Sequence, residues 1–218
     1  AKFSLYTFFM AVVNPGDEVI IPTPYWVSYG DQVKMAEGVP VFVQAKEDNH
    51  FKVTVEQLEA ARTDKTKVLV LNSPSNPTGM IYSREELLAI GNWAVAHDVL
   101  ILADDIYGRL VYNGNEFVPI SSLSEAIRKQ TIVINGVSKA YAMTGWRVGY
   151  AVGNPEIIAA MSKLTGQTTS NLTAVSQYAT IEALTGPQDS VETMCQAFEE
   201  RLNTIYPLLC QVPGFEVV

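Results

Sequence analysis

The sequence has few of the residues on which metal sites and disulfide frameworks depend. Its 218 residues include two histidines, His50 and His97, and two cysteines, Cys195 and Cys210. A histidine-rich metal site is therefore excluded, and we expect no bound metal. The cysteines lie fifteen positions apart in what the apolar pattern predicts to be one amphipathic helical region. That spacing favours two core thiols over a disulfide or a metal pair.

Positive charge and long apolar runs are also scarce. The chain has 15 lysines and arginines against 23 aspartates and glutamates, a formal net charge of −8, which disfavours nucleic acid or an anionic membrane surface as the main partner. No apolar run approaches the roughly 20 residues that span a bilayer, and the start does not resemble a signal peptide, so we expect a cytoplasmic protein. Because the sequence starts without methionine and stops at PGFEVV without a terminal signal, we expect it to be part of a longer protein.

What the sequence does contain is a regular alternation of short apolar runs with helical-period segments. Its apolar content of 48% is enough to bury a full core. The alternation predicts an α/β fold, and runs that are apolar on both faces indicate buried strands of a mostly parallel sheet. We predict strands at residues 17–22, 39–43, 67–72, 99–105, 131–136 and 147–152.

The helical-period segments fill the intervals between these strands. Ser83 and Glu86 form a capping box at the start of one of them. The turn TGPQD at residues 185–189 is the best candidate for a domain boundary. We therefore predict a large α/β domain over residues 1–186, with a connecting helix and the start of a truncated small domain over residues 187–218. We predict helices at residues 4–13, 26–36, 55–61, 84–97 and 156–164, and then a long helical stretch that ends at residue 209.

Polar side chains follow three of the predicted strands. KVLVLN runs into SPSNPTG with Asn76, VLILA runs into Asp104 and then Tyr107, and TIVIN is followed by Ser138 and Lys139. Because ligands in open α/β sheets collect beyond the carboxyl ends of the strands, we expect these groups to converge on one crevice. Arg147 would return to it from the next strand, where a charge among apolar residues indicates a buried anion.

This set of groups fits one chemistry, that of pyridoxal phosphate held as a Schiff base on a lysine. Lys139 would supply the amine, and Asp104 would face the pyridine nitrogen and keep it protonated. Tyr107 and Asn76 would stabilise the anion of the ring's phenolic oxygen and lower the imine pKa.

Three further residues complete the predicted cofactor site. Trp26, in TPYWVSY, offers a flat aromatic surface for the cofactor ring. The forked donors of Arg147 suit a phosphate, with the Ser138 hydroxyl beside them. Taken singly, all these residues have simpler interpretations, such as a proline turn for NPTG, core aromatics, and a lysine lying over apolar surface. Their joint occurrence in this order is what favours the cofactor site.

The motifs SPSNPTG, ADDIYGRLVY and NGVSKAYAMTGWRVGY, in this order and spacing, resemble the fold-type-I pyridoxal-phosphate aminotransferases of class I/II, and among them the bacterial aspartate and aromatic aminotransferases. The resemblance covers essentially the whole chain. It implies a three-layer α/β/α large domain that binds pyridoxal 5'-phosphate, a homodimer, and TTSN at residues 168–171 near the dimer interface. It also implies Lys139, Asp104 and Tyr107 as catalytic residues. By the same resemblance the cofactor-binding positions are Trp26, Asn76, Asp104, Tyr107, Lys139 and Arg147.

The resemblance also indicates which parts of the family's chain lie outside these residues. The opening AK resembles the tail of the family's glycine-containing phosphate loop, whose preceding half is absent. Also absent are the N-terminal arm and the C-terminal small domain, which brings the arginine for the substrate α-carboxylate.

We therefore expect transamination between an L-amino acid of the aspartate or aromatic type and a 2-oxo acid such as 2-oxoglutarate, with the freed Lys139 amine moving the α-proton. One alternative is a β-lyase or decarboxylase on the same scaffold, which would share every cofactor contact. Another is the effector-sensing aminotransferase-like domain of a transcription regulator, whose basic DNA-binding module would lie outside these residues. A nicotinamide dehydrogenase is a poor fit, because no G-x-G-x-x-G turn follows any predicted strand.

Overall fold

A computed structural model describes residues 1–217, which form an α/β fold around one six-stranded sheet. The strands are β1 Glu18–Thr23, β2 Val39–Gln44, β3 Thr66–Asn72, β4 Leu100–Asp104, β5 Thr131–Gly136 and β6 Gly149–Val152. Their order across the sheet is β2-β1-β3-β4-β5-β6, and all neighbouring pairs are parallel except β5 and β6. The predicted fold class is confirmed, and five of the six predicted strands differ from the observed ones by at most one residue at either end.

The helices are α1 Lys2–Val12, α2 Ser28–Met35, α3 Val55–Ala61, α4 Arg84–Ala96, α5 Glu125–Gln130, α6 Pro155–Thr168, α7 Ala174–Thr185 and α8 Asp189–Leu209. The capping box of α4 is confirmed, because the Ser83 hydroxyl accepts from the Glu86 amide and the Glu86 carboxylate accepts from the Ser83 amide. Helix α5 was not predicted, because its six residues are too few to display a helical period. The long helical stretch is divided into α7 and α8.

Helices cover both faces of the sheet, which gives three layers. Side chains of α1, α2 and α6 form one core with Val68 and Val70 of β3. Those of α3, α4 and α5 form a second core with Leu69 and Leu71. Because the centre of β3 is buried on both faces, its residues 68–71 are all apolar. Each large apolar side chain buried in this way stabilises the fold by about 1.5–3 kcal/mol.

The last strand starts later than the sequence predicts. The predicted strand covers residues 147–152, but β6 begins at Gly149 and runs antiparallel to β5. Arg147 lies before the strand, in left-handed backbone conformation with φ 57°, and its side chain is exposed. The expectation that Arg147 is a charge inside an apolar strand is therefore wrong, because the chain makes a turn there before it enters the sheet.

Helix α8 begins after a short break that follows α7, and it lies against the loop after β4. The backbone amide of Asn113 donates to Glu199 at 2.7 Å, and the Cys195 thiol donates to the carbonyl of Val111 at 3.3 Å. Both cysteines are free thiols. Cys210 is not a core thiol as expected, because it lies just past the end of α8 and is exposed. The break coincides with the predicted domain boundary, but the division into two domains stays a prediction.

Within residues 1–217, no helix combines the length and the apolar composition that a membrane span requires.

Candidate active site

A cavity of about 310 Å³ lies at the carboxyl ends of β3, β4 and β5, and its size is within the range of ligand and cofactor pockets. Asp104 and Lys139 line this same cavity, so the two groups converge on one crevice as predicted. The structure therefore brings the predicted groups together, while their individual roles stay predictions. The lining includes all the predicted site residues: Trp26, Asn76, Asp104, Tyr107, Ser138, Lys139 and Arg147.

Asp104 is the last residue of β4 and is almost fully buried, with 3% of its surface exposed. Its Oδ2 accepts a hydrogen bond from the Tyr29 hydroxyl at 2.7 Å, and its Oδ1 accepts one from the backbone amide of Ile106 at 3.3 Å. Burial raises the pKa of Asp104 above its ordinary value, and these two hydrogen bonds oppose that rise. The site thus holds an oriented carboxyl group in a poorly hydrated environment.

Asn72 links the segments that carry Asp104 and Asn76. It ends β3 directly opposite Asp104 in the parallel register. Its Nδ2 donates to the carbonyl oxygen of Asp104 at 2.8 Å, and its Oδ1 accepts from the backbone amide of Asn76 at 2.8 Å. One amide side chain therefore fixes the distance between two predicted cofactor contacts.

Lys139 follows β5 and is half-buried. Its Nζ lies 5.6 Å from the centre of the Tyr107 ring, so the amine and the phenol occupy the same part of the cavity. Among residues 1–217, no side chain forms a salt bridge with Lys139 and no group accepts a hydrogen bond from its Nζ. A lysine amine without a protein partner is available to react with a ligand in the cavity.

Two cations border the side of the cavity where a phosphate is expected. Arg147 donates through Nη1 to the carbonyl of Thr144 at 2.8 Å, which anchors the guanidinium, and Ser138 lines the same wall. The Nζ of Lys2 lies 4.8 Å from the centre of the Trp26 ring. Lys2 thus adds a second positive charge to the one predicted at Arg147.

A larger cleft of about 1120 Å³ adjoins this cavity and shares Asn76, Tyr107 and Lys139 with it. Its outer wall is α8, through residues that include Phe198 and Arg201. This cleft gives a small molecule a path to the Lys139 amine.

Six lining residues were not predicted, and they include Tyr29, Asn72 and Lys2. Their positions in the sequence, relative to residues that were predicted, could have indicated them. Asn72 ends its strand as Asp104 does, and Tyr29 follows Trp26 by three residues, about one helical turn. Lys2 belongs to the AK segment, which resembles the tail of the family's phosphate loop.

The residues present fit pyridoxal phosphate. The buried Asp104 carboxyl has no salt bridge to any side chain within residues 1–217, so a protonated ring nitrogen would provide the opposite charge that a buried carboxylate needs. Lys139 offers an amine for the aldehyde, and Arg147 and Lys2 offer cations for the phosphate. The fold and the residues that line its cavity are those expected of the large domain of fold-type-I pyridoxal-phosphate proteins.

Comparison with known proteins identifies the family. Residues 2–218 match the family model "Aminotransferase class I and II", and the chain belongs to this family. It is 75% identical to the asparagine–oxo-acid transaminase of Streptococcus mutans serotype c and 57% identical to the aspartate aminotransferase of Geobacillus stearothermophilus, in both cases over 100% of this chain and 56% of the relative.

Solved structures agree with this assignment. The fold matches the aspartate aminotransferase from Rhizobium meliloti with a TM-score of 0.95 at 43% identity, over 98% of this chain and 54% of that one. It matches the aromatic aminotransferase from Pyrococcus horikoshii OT3 with a TM-score of 0.93 at 33% identity, over 96% of this chain and 57% of that one. The chain therefore spans about half the length of the relatives that it matches.

Proposed function

We propose that the protein containing this chain is a pyridoxal-phosphate-dependent aminotransferase that moves an amino group from an L-amino acid to a 2-oxo acid. The observation that carries the proposal is the cavity that brings the Lys139 amine and the buried Asp104 carboxyl together. When bound, the cofactor supplies an aldehyde that captures amines and a ring that accepts electrons from the substrate α-carbon. The chain supplies binding, orientation and proton transfer.

Four side chains would control the reacting atoms. The Asp104 carboxylate would hold a proton on the ring nitrogen, since a charge-assisted hydrogen bond favours the protonated form. Tyr107 and Asn76 would donate hydrogen bonds to the ring's phenolic oxygen. The Nζ of Lys139, once the substrate amine has displaced it, would take the α-proton of the substrate and return it to the adjacent carbon.

The other predicted residues would bind and orient the cofactor. Arg147 would hold the phosphate through its forked donors, with the Ser138 hydroxyl beside it. Trp26 would pack against the ring and restrict its tilt. We add Lys2 to this group, because its amine lies in the same cavity.

For the amino donor we propose aspartate or asparagine, ahead of an aromatic amino acid. Support comes from the relatives, since those that share 54–75% of their residues with this chain are named for aspartate or asparagine. The acceptor we propose is 2-oxoglutarate.

The test is an incubation of the full-length protein and pyridoxal phosphate with 2-oxoglutarate and each amino acid in turn. We expect glutamate to form with aspartate or asparagine, at rates at least about tenfold above those with tyrosine or phenylalanine. Formation of pyruvate and ammonia without any need for a 2-oxo acid would instead identify a β-lyase. If no amino acid yields glutamate, the proposed activity is wrong.

We further propose that the protein is a homodimer that uses the exposed apolar face of α7. Val175, Tyr178 and Ile181 recur at helical spacing and are 70%, 76% and 56% exposed, which is unusual for an isolated chain in water. This face follows the TTSN segment that the family resemblance places near a dimer interface. Sedimentation of the full-length protein at micromolar concentration should give twice the chain mass, and Tyr178→Asp should lower it. A wild-type protein with the mass of one chain would contradict the proposal.

We also propose that residues 1–186 belong to the cofactor-binding domain and that α8 connects it to a second domain, within a cytoplasmic protein. The low cysteine content, two in 218 residues, supports a reducing compartment. The break before α8 supports the position of the boundary.

A further inference from the structure

Tyr29 makes the short hydrogen bond to the carboxylate that the proposed function places opposite the ring nitrogen. It lies in α2, is 2% exposed, and donates its hydroxyl to Oδ2 of Asp104 at 2.7 Å. We propose that Tyr29 is a positioning residue, whose hydroxyl holds the Asp104 carboxylate ionised and aligned for the cofactor. This inference rests on the proposed function, and it assigns a role to a residue outside the predicted cofactor contacts.

The geometry around Asp104 makes this hydrogen bond the dominant one. The second donor to the carboxylate, the backbone amide of Ile106, is at 3.3 Å, which is long for a bond of this type. Without the Tyr29 hydroxyl, Oδ2 would lose its side-chain donor in a position with almost no access to water. The carboxyl group would then be free to rotate about its last torsion, which has a broad minimum.

Electrostatics supports the same role. Burial raises the pKa of Asp104, and the hydrogen bond from Tyr29 opposes that rise. Burial and the neighbouring Asp104 raise the pKa of the Tyr29 hydroxyl well above its ordinary value, so the phenol remains a donor throughout the neutral range. A donor that never ionises favours the carboxylate over the carboxylic acid at every working pH.

The Tyr29 ring is itself fixed, so that its hydroxyl has a defined position. The ring packs edge-on against Trp26 with centroids 5.4 Å apart, and it belongs to the core formed with Phe8 and Val33. Tyr29→Phe keeps this packing and removes a single oxygen. The substitution therefore tests the hydrogen bond and leaves the core intact.

The experiment is a double-mutant cycle in the full-length protein, with the affinity of the apoprotein for pyridoxal phosphate as the readout. Tyr29→Phe should weaken cofactor binding about tenfold when Asp104 is present, the size expected for a hydrogen bond to a charged group. In an Asp104→Asn background the same change should alter affinity less than about twofold, because the interaction that it removes is already lost. Equal effects in the two backgrounds would show a merely structural role and would overturn the inference.

A spectroscopic readout adds a signature that packing alone does not produce. If Asp104 holds the ring nitrogen less firmly in Tyr29→Phe, the ring carries less positive charge and repels a proton on the Lys139 nitrogen less. The pH midpoint of the bound cofactor's near-visible absorbance change should therefore rise by at least about half a unit. The other ionisable groups around Asp104 are unchanged in the variant: Lys2, Asp105, Tyr107, Lys139 and Arg147.

Tyr25→Phe is the matched control, because the Tyr25 hydroxyl forms no hydrogen bond within residues 1–217 and its ring packs on Phe42. This variant should bind the cofactor with wild-type affinity and an unchanged midpoint. A wild-type protein that does not bind pyridoxal phosphate contradicts the proposed function. A wild-type protein that binds it, together with Tyr29→Phe of equal affinity and midpoint, contradicts the role of Tyr29 alone.

Discussion

Lys139→Ala is expected to lower the proposed transamination by the full-length protein at least about 1000-fold, since in the proposed mechanism both capture of the cofactor aldehyde and transfer of the α-proton depend on this amine. Its Nζ lies 5.6 Å from the centre of the Tyr107 ring, in the cavity that also contains Asp104. Among residues 1–217, Lys139 is the only lysine of the cavity lining that follows a strand. Lys2, the second lysine of the lining, lies over the Trp26 ring instead.

Absorbance and turnover together check this expectation. Wild-type protein with pyridoxal phosphate should show a near-visible band that shifts with pH, and Lys139→Ala should not show it. Lys129→Ala is the control, because Lys129 lies on the surface at the end of α5 and is 74% exposed; its turnover should equal that of the wild type. Undiminished turnover in Lys139→Ala would refute the assignment of the amine, whatever the cofactor affinity.

The sheet could be predicted from the sequence because its central strands are buried on both faces. The apolar runs at residues 68–71 and 100–103 form most of β3 and β4, so the composition indicates both strands directly. The strand prediction was wrong at the start of β6, where the backbone conformation does not follow the apolar pattern of the sequence. Arg147 and Val148 read as the start of a strand, but the left-handed backbone of Arg147 delays the strand to Gly149, and no pattern of apolar residues records a backbone angle.

The sequence was sufficient to predict which groups meet in the candidate site, because the topology of a parallel sheet brings them together. In a parallel sheet the carboxyl ends of all strands lie at one edge, so the residues after β3, β4 and β5 had to approach one another. Contacts between elements that are distant in the chain could not be predicted in this way. The bond from Tyr29 to Asp104 joins residues 75 positions apart, and it depends on how α2 packs against the sheet. The same holds for Lys2, which reaches the cavity because α1 packs beside α2.

Asp105 is a buried carboxyl group, and its effect on the stability of the fold is not evident from the sequence. Its side chain is 7% exposed, and burial, followed by the charge of Asp104, raises its pKa from 3.8 to about 7. In the unfolded chain the carboxyl group would ionise near its ordinary value. Between about pH 4 and pH 7 the unfolded chain therefore releases a proton that the folded chain retains. Because the unfolded state then binds fewer protons, stability falls as the pH rises through this window and stays lower above it.

Asp105→Asn removes this titration, so the variant should be more stable than the wild type by about 2–4 kcal/mol near pH 8, at roughly 1.4 kcal/mol per pKa unit. The advantage should shrink as the pH falls and largely disappear near pH 4, where both states of the wild type hold the proton. Urea unfolding of the full-length apoprotein at both pH values measures the difference, and the cofactor is left out because it would change the charge that faces Asp104. Asp64→Asn, at an exposed turn before β3, should show no such pH-dependent gain. If the free energies of unfolding of Asp105→Asn and the wild type differ by the same amount at both pH values, Asp105 ionises in the folded protein as easily as in water.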